Sequence, residues 1–136
     1  VFDDVFPIWR YYEAKILEHE FESNMEDKDM ADIGFRSSVA DQAIRLAQLA
    51  QDCGLDGVVC SPHELSVIRE VCGTNFKLVV PGIRPNWAVK GDQKRITTPR
   101  QAVDLGADYL VIGRPITEDE NPVLAAKRIG EELSDT

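Results

Sequence analysis

The chain has 136 residues, 43% apolar, 29% charged and 7% aromatic, with a formal net charge of −9. That length holds one ordinary domain with its own core. No run nears the roughly 20 apolar residues of a membrane helix, and the acidity argues against nucleic acid or an anionic membrane as a partner.

The first stretch is acidic and aromatic rather than basic then apolar, so no signal peptide is expected. Residues 1–22 show no clear cap and no strand pattern, and 11–21 can form a short helix. His19, among acids, reads as a solvated surface side chain. Glu26-Asp27-Lys28-Asp29 lacks the glycine and alternate spacing of a calcium loop, so it reads as the solvated start of a helix.

From Ser38 the pattern becomes regular. Ser38 can cap a helix with Val39, Ala43, Ile44, Ala47 and Ala50 on one face, stopped by Gly54. Residues 57–60, GVVC, read as a buried strand. Ser61-Pro62-His63-Glu64 predicts a capping box, with Ser61 at the N-cap, Pro62 first in the helix and Glu64 third. His63 would then face solvent. That helix turns Leu65, Ile68 and Val71 or Cys72 inward and ends at Gly73. Residues 77–80 form the next strand, followed by a long loop over 81–97 that contains Trp87. Thr98-Pro99-Arg100-Gln101 predicts a second capping box, with Gly106 as the stop. Residues 108–112 are a third strand, and Asn121-Pro122 opens a last helix carrying Val123, Leu124, Ala125, Ile129 and Leu133.

Apolar strands alternating with capped helices predict a parallel α/β sheet covered by helices. A doubly wound sheet and a (β/α)8 barrel both satisfy that order. Cys53, Cys60 and Cys72 form no CxxC pair. They predict buried or half-buried thiols in a reducing, cytoplasmic compartment and no metal site.

In parallel α/β folds, ligands bind where strands end. Here those ends read Cys60-Ser61, Pro81-Gly82-Ile83-Arg84 and Gly113-Arg114-Pro115. Residues 77–114 hold seven Lys/Arg and three Asp/Glu, whereas the rest of the chain holds eight and twenty-one. A basic island with two Gly-Arg strand ends points to an anion, and phosphate fits best. Backbone N–H groups can cradle phosphate oxygens, and Arg114 offers a bidentate fork. Taken alone, each end is explained more readily by turn geometry or a surface salt bridge; the two together with the basic island favour the anion. Barrels often grip phosphate with the loops after strands 7 and 8, which would make 57–60 strand 6. Gln93, in the long loop, can donate its amide to the same group. Asp56 and Asp108 precede strands, at the opposite edge, and receive no catalytic role.

The segments LDGVVCSPHE, LVVPGIRP, GDQKRITTP and DYLVIGRPIT, in this order and spacing, resemble the C-terminal half of orotidine 5′-phosphate decarboxylases. Gln93 lies nine positions after Arg84, as in that family. SNMEDKDMADIGF is similar to the turn after the family's strand 5. The resemblance covers residues 23–136 and leaves 1–22 as an unassigned segment. It implies a (β/α)8 barrel of which this chain carries about strands 5/6 to 8. It implies a phosphate grip by Gln93, Gly113 and Arg114, further ligand contact by Arg84, and a nucleotide contact at Ser23. It implies decarboxylation of orotidine monophosphate (OMP) to UMP and CO2, in pyrimidine biosynthesis, with no metal or organic cofactor. It also implies homodimers with one Asp arriving from the partner subunit.

The family's Asp-x-Lys-x-x-Asp motif, from strands 2 and 3, does not occur in these 136 residues. A full barrel needs about 250 residues. The chain alone is therefore expected to be a fragment without catalytic residues, inactive, and prone to dimerise or pair with a complementary half-barrel. Alternatives are a non-catalytic phosphate-binding half-barrel or degenerate fragment, and another sugar-phosphate barrel enzyme, against which the GDQ loop argues.

Overall fold

A computed structural model describes residues 27–32, 34, 36–88 and 97–134. The expectations for 1–22, Ser23, Gln93 and the 91–95 loop lie outside the described residues.

The described chain runs α1 (Asp27–Asp32), α2 (Val39–Asp52), β1 (Gly57–Val59), α3 (Leu65–Cys72), β2 (Lys77–Val80), α4 (Pro99–Asp104), β3 (Tyr109–Leu110), α5 (Arg114–Thr117) and α6 (Pro122–Ser134). The three strands pair in the order β1-β2-β3, all parallel. The predicted parallel α/β order is thus present. No helix among the described residues is long and apolar enough to cross a membrane.

Local chemistry accounts for the main helices. The Ser38 hydroxyl accepts from the Asp41 N–H, and the Asp27 carboxylate accepts from the Val39 N–H at 2.9 Å, so two orphan donors of α2 are satisfied. At its far end the Gly54 N–H donates to the Gln51 carbonyl and the Leu55 N–H to the Ala50 carbonyl. That is a Schellman closure, and it places Gly54 at φ +80°. α4 repeats the design. Thr98 and Gln101 form a complete capping box, Pro99 sits in the first turn, and the Ala107 N–H closes onto Ala102. α6 starts under Asn121, whose side chain accepts from the Leu124 N–H.

The core lies between the sheet and α2, α3 and α4. Val58, Cys60, Leu78 and Val80 meet Ala47, Leu65, Ile68, Cys72 and Ala102 there. Each fully buried Leu or Ile contributes about 1.5–3 kcal/mol. β1 and β2 approach so closely that a Cβ on Gly57 would overlap the Lys77 carbonyl. Glycine is therefore required at the start of β1.

Three expectations need correction. The segment 61–64 is not a capping box. The Ser61 hydroxyl accepts from the His63 N–H at 3.2 Å, the Glu64 N–H closes onto the Ser61 carbonyl, and α3 starts only at Leu65. The serine's short-range turn wins over the cap. His63 is exposed as expected, but in this turn. β3 is shorter than 108–112, although the Asp108 and Val111 N–H groups extend its ladder onto Leu78 and Val80. Cys53 is exposed, because it ends α2 on the solvent side, whereas Cys60 and Cys72 are buried. The short helix α5 was not anticipated.

Candidate anion site at the carboxyl edge of the sheet

Parallel pairing puts the three strand ends along one edge. At the end of β1, Cys60 continues the ladder by donating to the Val79 carbonyl at 3.0 Å, and Ser61 is buried beside it. After β2, Gly82 takes φ +76°, a conformation that side chains resist. The chain then returns to pair again: Ile83 bridges Thr97 in parallel, and the Arg84 N–H donates to the Thr97 carbonyl at 3.0 Å. This bridge closes the neck of the long loop. It places Arg84, only 6% exposed, directly beside the Thr98 cap of α4.

After β3, Gly113 serves as the N-cap of α5, and its carbonyl accepts from Ile116 and Thr117. A Cβ there would meet no protein atom within 4 Å, so packing does not demand glycine at this position, but its φ of −100° and ψ of −100° lie outside the α and β regions that side chains permit. What glycine provides is exposed, unobstructed backbone next to the exposed Arg114. Arg84 and Arg114 are each engaged in an interaction within the chain. Of the predicted site residues, the structure brings Arg84, Gly113 and Arg114 onto adjacent loops after paired strands. Ser23 and Gln93 lie outside the described residues.

The opposite edge is organised differently. Asp108 accepts from the Leu78 N–H (2.9 Å), Arg69 (2.6 Å) and Lys77 (3.1 Å). Burial alone would raise its carboxyl, but the Leu78 N–H, Arg69 and Lys77 together outweigh that and hold it below the usual carboxylate range. Arg69 also donates to the carbonyls of Gly73, Phe76 and Gly106, tying α3 to the turns that lead into β2 and β3. Cys72 is buried at the end of α3. Burial pushes its thiol up, with Arg69 opposing and Asp52 adding to the rise.

Sequence reasoning overlooked Arg69. It also left Trp87 unassigned. The Arg128 guanidinium of α6 lies 4.4 Å from the Trp87 ring centroid, fastening the segment after Arg84 to α6. Among the described residues no three His, Cys, Asp or Glu side chains gather as a metal site.

The profile of the Orotidine 5′-phosphate decarboxylase / HUMPS family matches residues 17–129. The orotidine 5′-phosphate decarboxylase of Actinobacillus pleuropneumoniae serotype 5b (strain L20) is 55% identical over 111 residues, covering 82% of this chain and 48% of that one. That of Glaesserella parasuis serovar 5 is 53% identical over 112 residues, covering 82% and 49%. Among solved structures, orotidine 5′-phosphate decarboxylase from Lactobacillus acidophilus superposes with a TM-score of 0.67 at 34% identity, over 81% of this chain and 44% of that one. The Pyrococcus horikoshii OT3 enzyme gives 0.57 at 28% identity, over 72% and 44%. The chain spans about half the length of the curated relatives it matches.

Proposed function

The chain belongs to the Orotidine 5′-phosphate decarboxylase / HUMPS family, and from that membership we propose that it carries the family's phosphate-gripping half and binds the 5′-phosphate of a pyrimidine nucleotide. The observation that supports this most is the placement of Arg84 and of Gly113-Arg114 on neighbouring loops at one sheet edge. A phosphate there would receive the bare Gly113 backbone, the Arg114 fork and, from the long loop, the Gln93 amide. Arg84, buried at the loop's neck, adds fixed positive charge.

In a complete enzyme the phosphate lies far from the reacting carbon. Its binding energy serves catalysis when it closes and orders the site around the pyrimidine ring. A Lys/Asp array then favours the carbanion formed as CO2 leaves, and a lysine protonates it. These 136 residues contain no Asp-x-Lys-x-x-Asp motif. The chain alone accordingly binds and does not decarboxylate.

Titration calorimetry with UMP and with uridine tests the reading. UMP binds, uridine binds at least about tenfold more weakly, and Arg114→Ala removes most of that difference. Equal affinity for the two ligands would sink the phosphate grip. Metal-independent loss of OMP absorbance on adding the purified chain would overturn its inactivity.

A further inference from the structure

The candidate anion site is divided between the loop after β2, with Arg84, and the loop after β3, with Gly113 and Arg114. Its geometry therefore depends on contacts that hold one loop against the other. On the β2 side, the Ile83↔Thr97 bridge and the Arg84 N–H fix only the root of the long loop. The chain then turns: Pro85 is fully buried, and the Ala88 N–H closes onto the Pro85 carbonyl at 3.0 Å. That turn presents the half-buried Trp87 ring to α6, where the Arg128 guanidinium lies 4.4 Å from the ring centroid. On the β3 side, Gly113 caps α5, and α5 packs on α6. α6 is seated by its buried Ala125 and Ile129 and by Glu132, which accepts from the Arg100 N–H of α4 at 3.3 Å. Arg128 thus joins the segment that bears Arg84 to the helix that follows Gly113 and Arg114.

We propose that Arg128 is a positioning residue for phosphate binding: by gripping Trp87 it locks α6, and with it α5 and its Gly113 cap, against the neck that carries Arg84. It does so without touching the ligand. The proposal rests on the phosphate reading above. A planar guanidinium can lie flat on an indole face and hold it in one orientation. Arg128 is exposed, and a cation–π contact in water is weak. Its loss loosens the two loops without unfolding the chain. The expected effect on affinity is correspondingly small, about two- to fivefold.

Titration calorimetry with UMP and with uridine, on the full chain, tests it. Arg128→Ala and Trp87→Leu each weaken UMP binding by about two- to fivefold and leave uridine unchanged. The double variant loses no more than either single one, because both remove the same contact. Arg128→Lys keeps a cation over the ring and retains most of the affinity. Lys127→Ala, the adjacent exposed position on α6, removes the same charge without the ring contact and leaves UMP binding unchanged. Circular dichroism of each variant confirms that it still folds. Unchanged UMP affinity in Arg128→Ala, additive losses in the double variant, or an equal loss from Lys127→Ala would each overturn the proposal while the wild-type preference for UMP stands. A wild-type chain that does not prefer UMP to uridine overturns the phosphate reading and this proposal with it, so the two failures are told apart.

Discussion

Replacing Asp108 by Asn keeps the shape of the side chain and removes the charge on which the amino edge of the sheet converges. The carboxylate serves three donors: the Leu78 N–H, Arg69 and Lys77. The Lys77 side chain is 42% exposed and its pair adds little. The Arg69–Asp108 pair is 17% and 21% exposed, and a hydrogen bond to a charged group there is worth about 1.5–3 kcal/mol. Arg69 retains the carbonyls of Gly73, Phe76 and Gly106, so losing its carboxylate does not leave it bare. We expect Asp108→Asn to cost about 2 kcal/mol, towards the low end of that bond range. A double-mutant cycle with Arg69→Met should give a coupling of about 1–2 kcal/mol. Urea denaturation followed by far-ultraviolet circular dichroism at pH 7 measures both. The folded-state carboxyl is depressed, so its stabilisation is complete above the unfolded value near 4 and is lost as pH falls through the folded value. The wild-type advantage over Asp108→Asn should therefore shrink only in acid. A coupling below about 0.3 kcal/mol at neutral pH would refute the assigned role.

Gly57→Ala places a methyl group 2.1 Å from the Lys77 carbonyl oxygen, inside contact distance, so β1 and β2 must separate. The expected loss is at least about 1–3 kcal/mol by thermal or urea melts, and a neutral result would show that β1 can shift freely. Arg128→Ala should change Trp87 emission in a Trp9→Phe background while lowering stability by only about 0.5–1 kcal/mol. Unchanged emission would mean that the ring and guanidinium do not meet in solution.

Features set by neighbours in the chain were legible from the sequence. Ser38 with Asp41, Thr98 with Gln101, and Gly54 and Gly106 as stops all act within five residues, and the structure has them. Ser61 failed for a local reason. Its hydroxyl had a nearer donor, the His63 N–H, than a cap would supply. Arg69 was invisible because its partners lie at 73, 76, 106 and 108, where only the folded turns converge. Trp87 and Arg128, 41 positions apart, were unreadable for the same reason. The apolar composition of β3 suggested a strand buried on both faces. Its register shows one face packed and the other half in water. At the candidate site, Arg84, Gly113 and Arg114 could be singled out because strand-end position follows from element order. The burial of Arg84 and the openness around Gly113 could not.

The strands linking the two edges are short. β2 has four residues, and at about 3.3 Å per residue it spans roughly 13 Å. Its first residue, Lys77, contacts Asp108 and faces Gly57, and its last, Val80, accepts from Val111 just before Gly113. No intervening layer can absorb a shift at the amino edge. Closely packed interiors transmit displacement rather than dissipate it. The Arg69–Asp108 cluster and the Gly57 contact therefore do more than hold the chain folded. The Gly57 contact fixes the spacing of β1 and β2, the Asp108 cluster fixes the offset between β2 and β3, and that offset sets how far Arg84 stands from Gly113 and Arg114. The proposed site, in which backbone and two arginines would hold a phosphate, would have few ways to adapt to an error in that spacing. The residues with greatest leverage over binding, after those that touch the ligand, are accordingly expected at the opposite edge of the sheet.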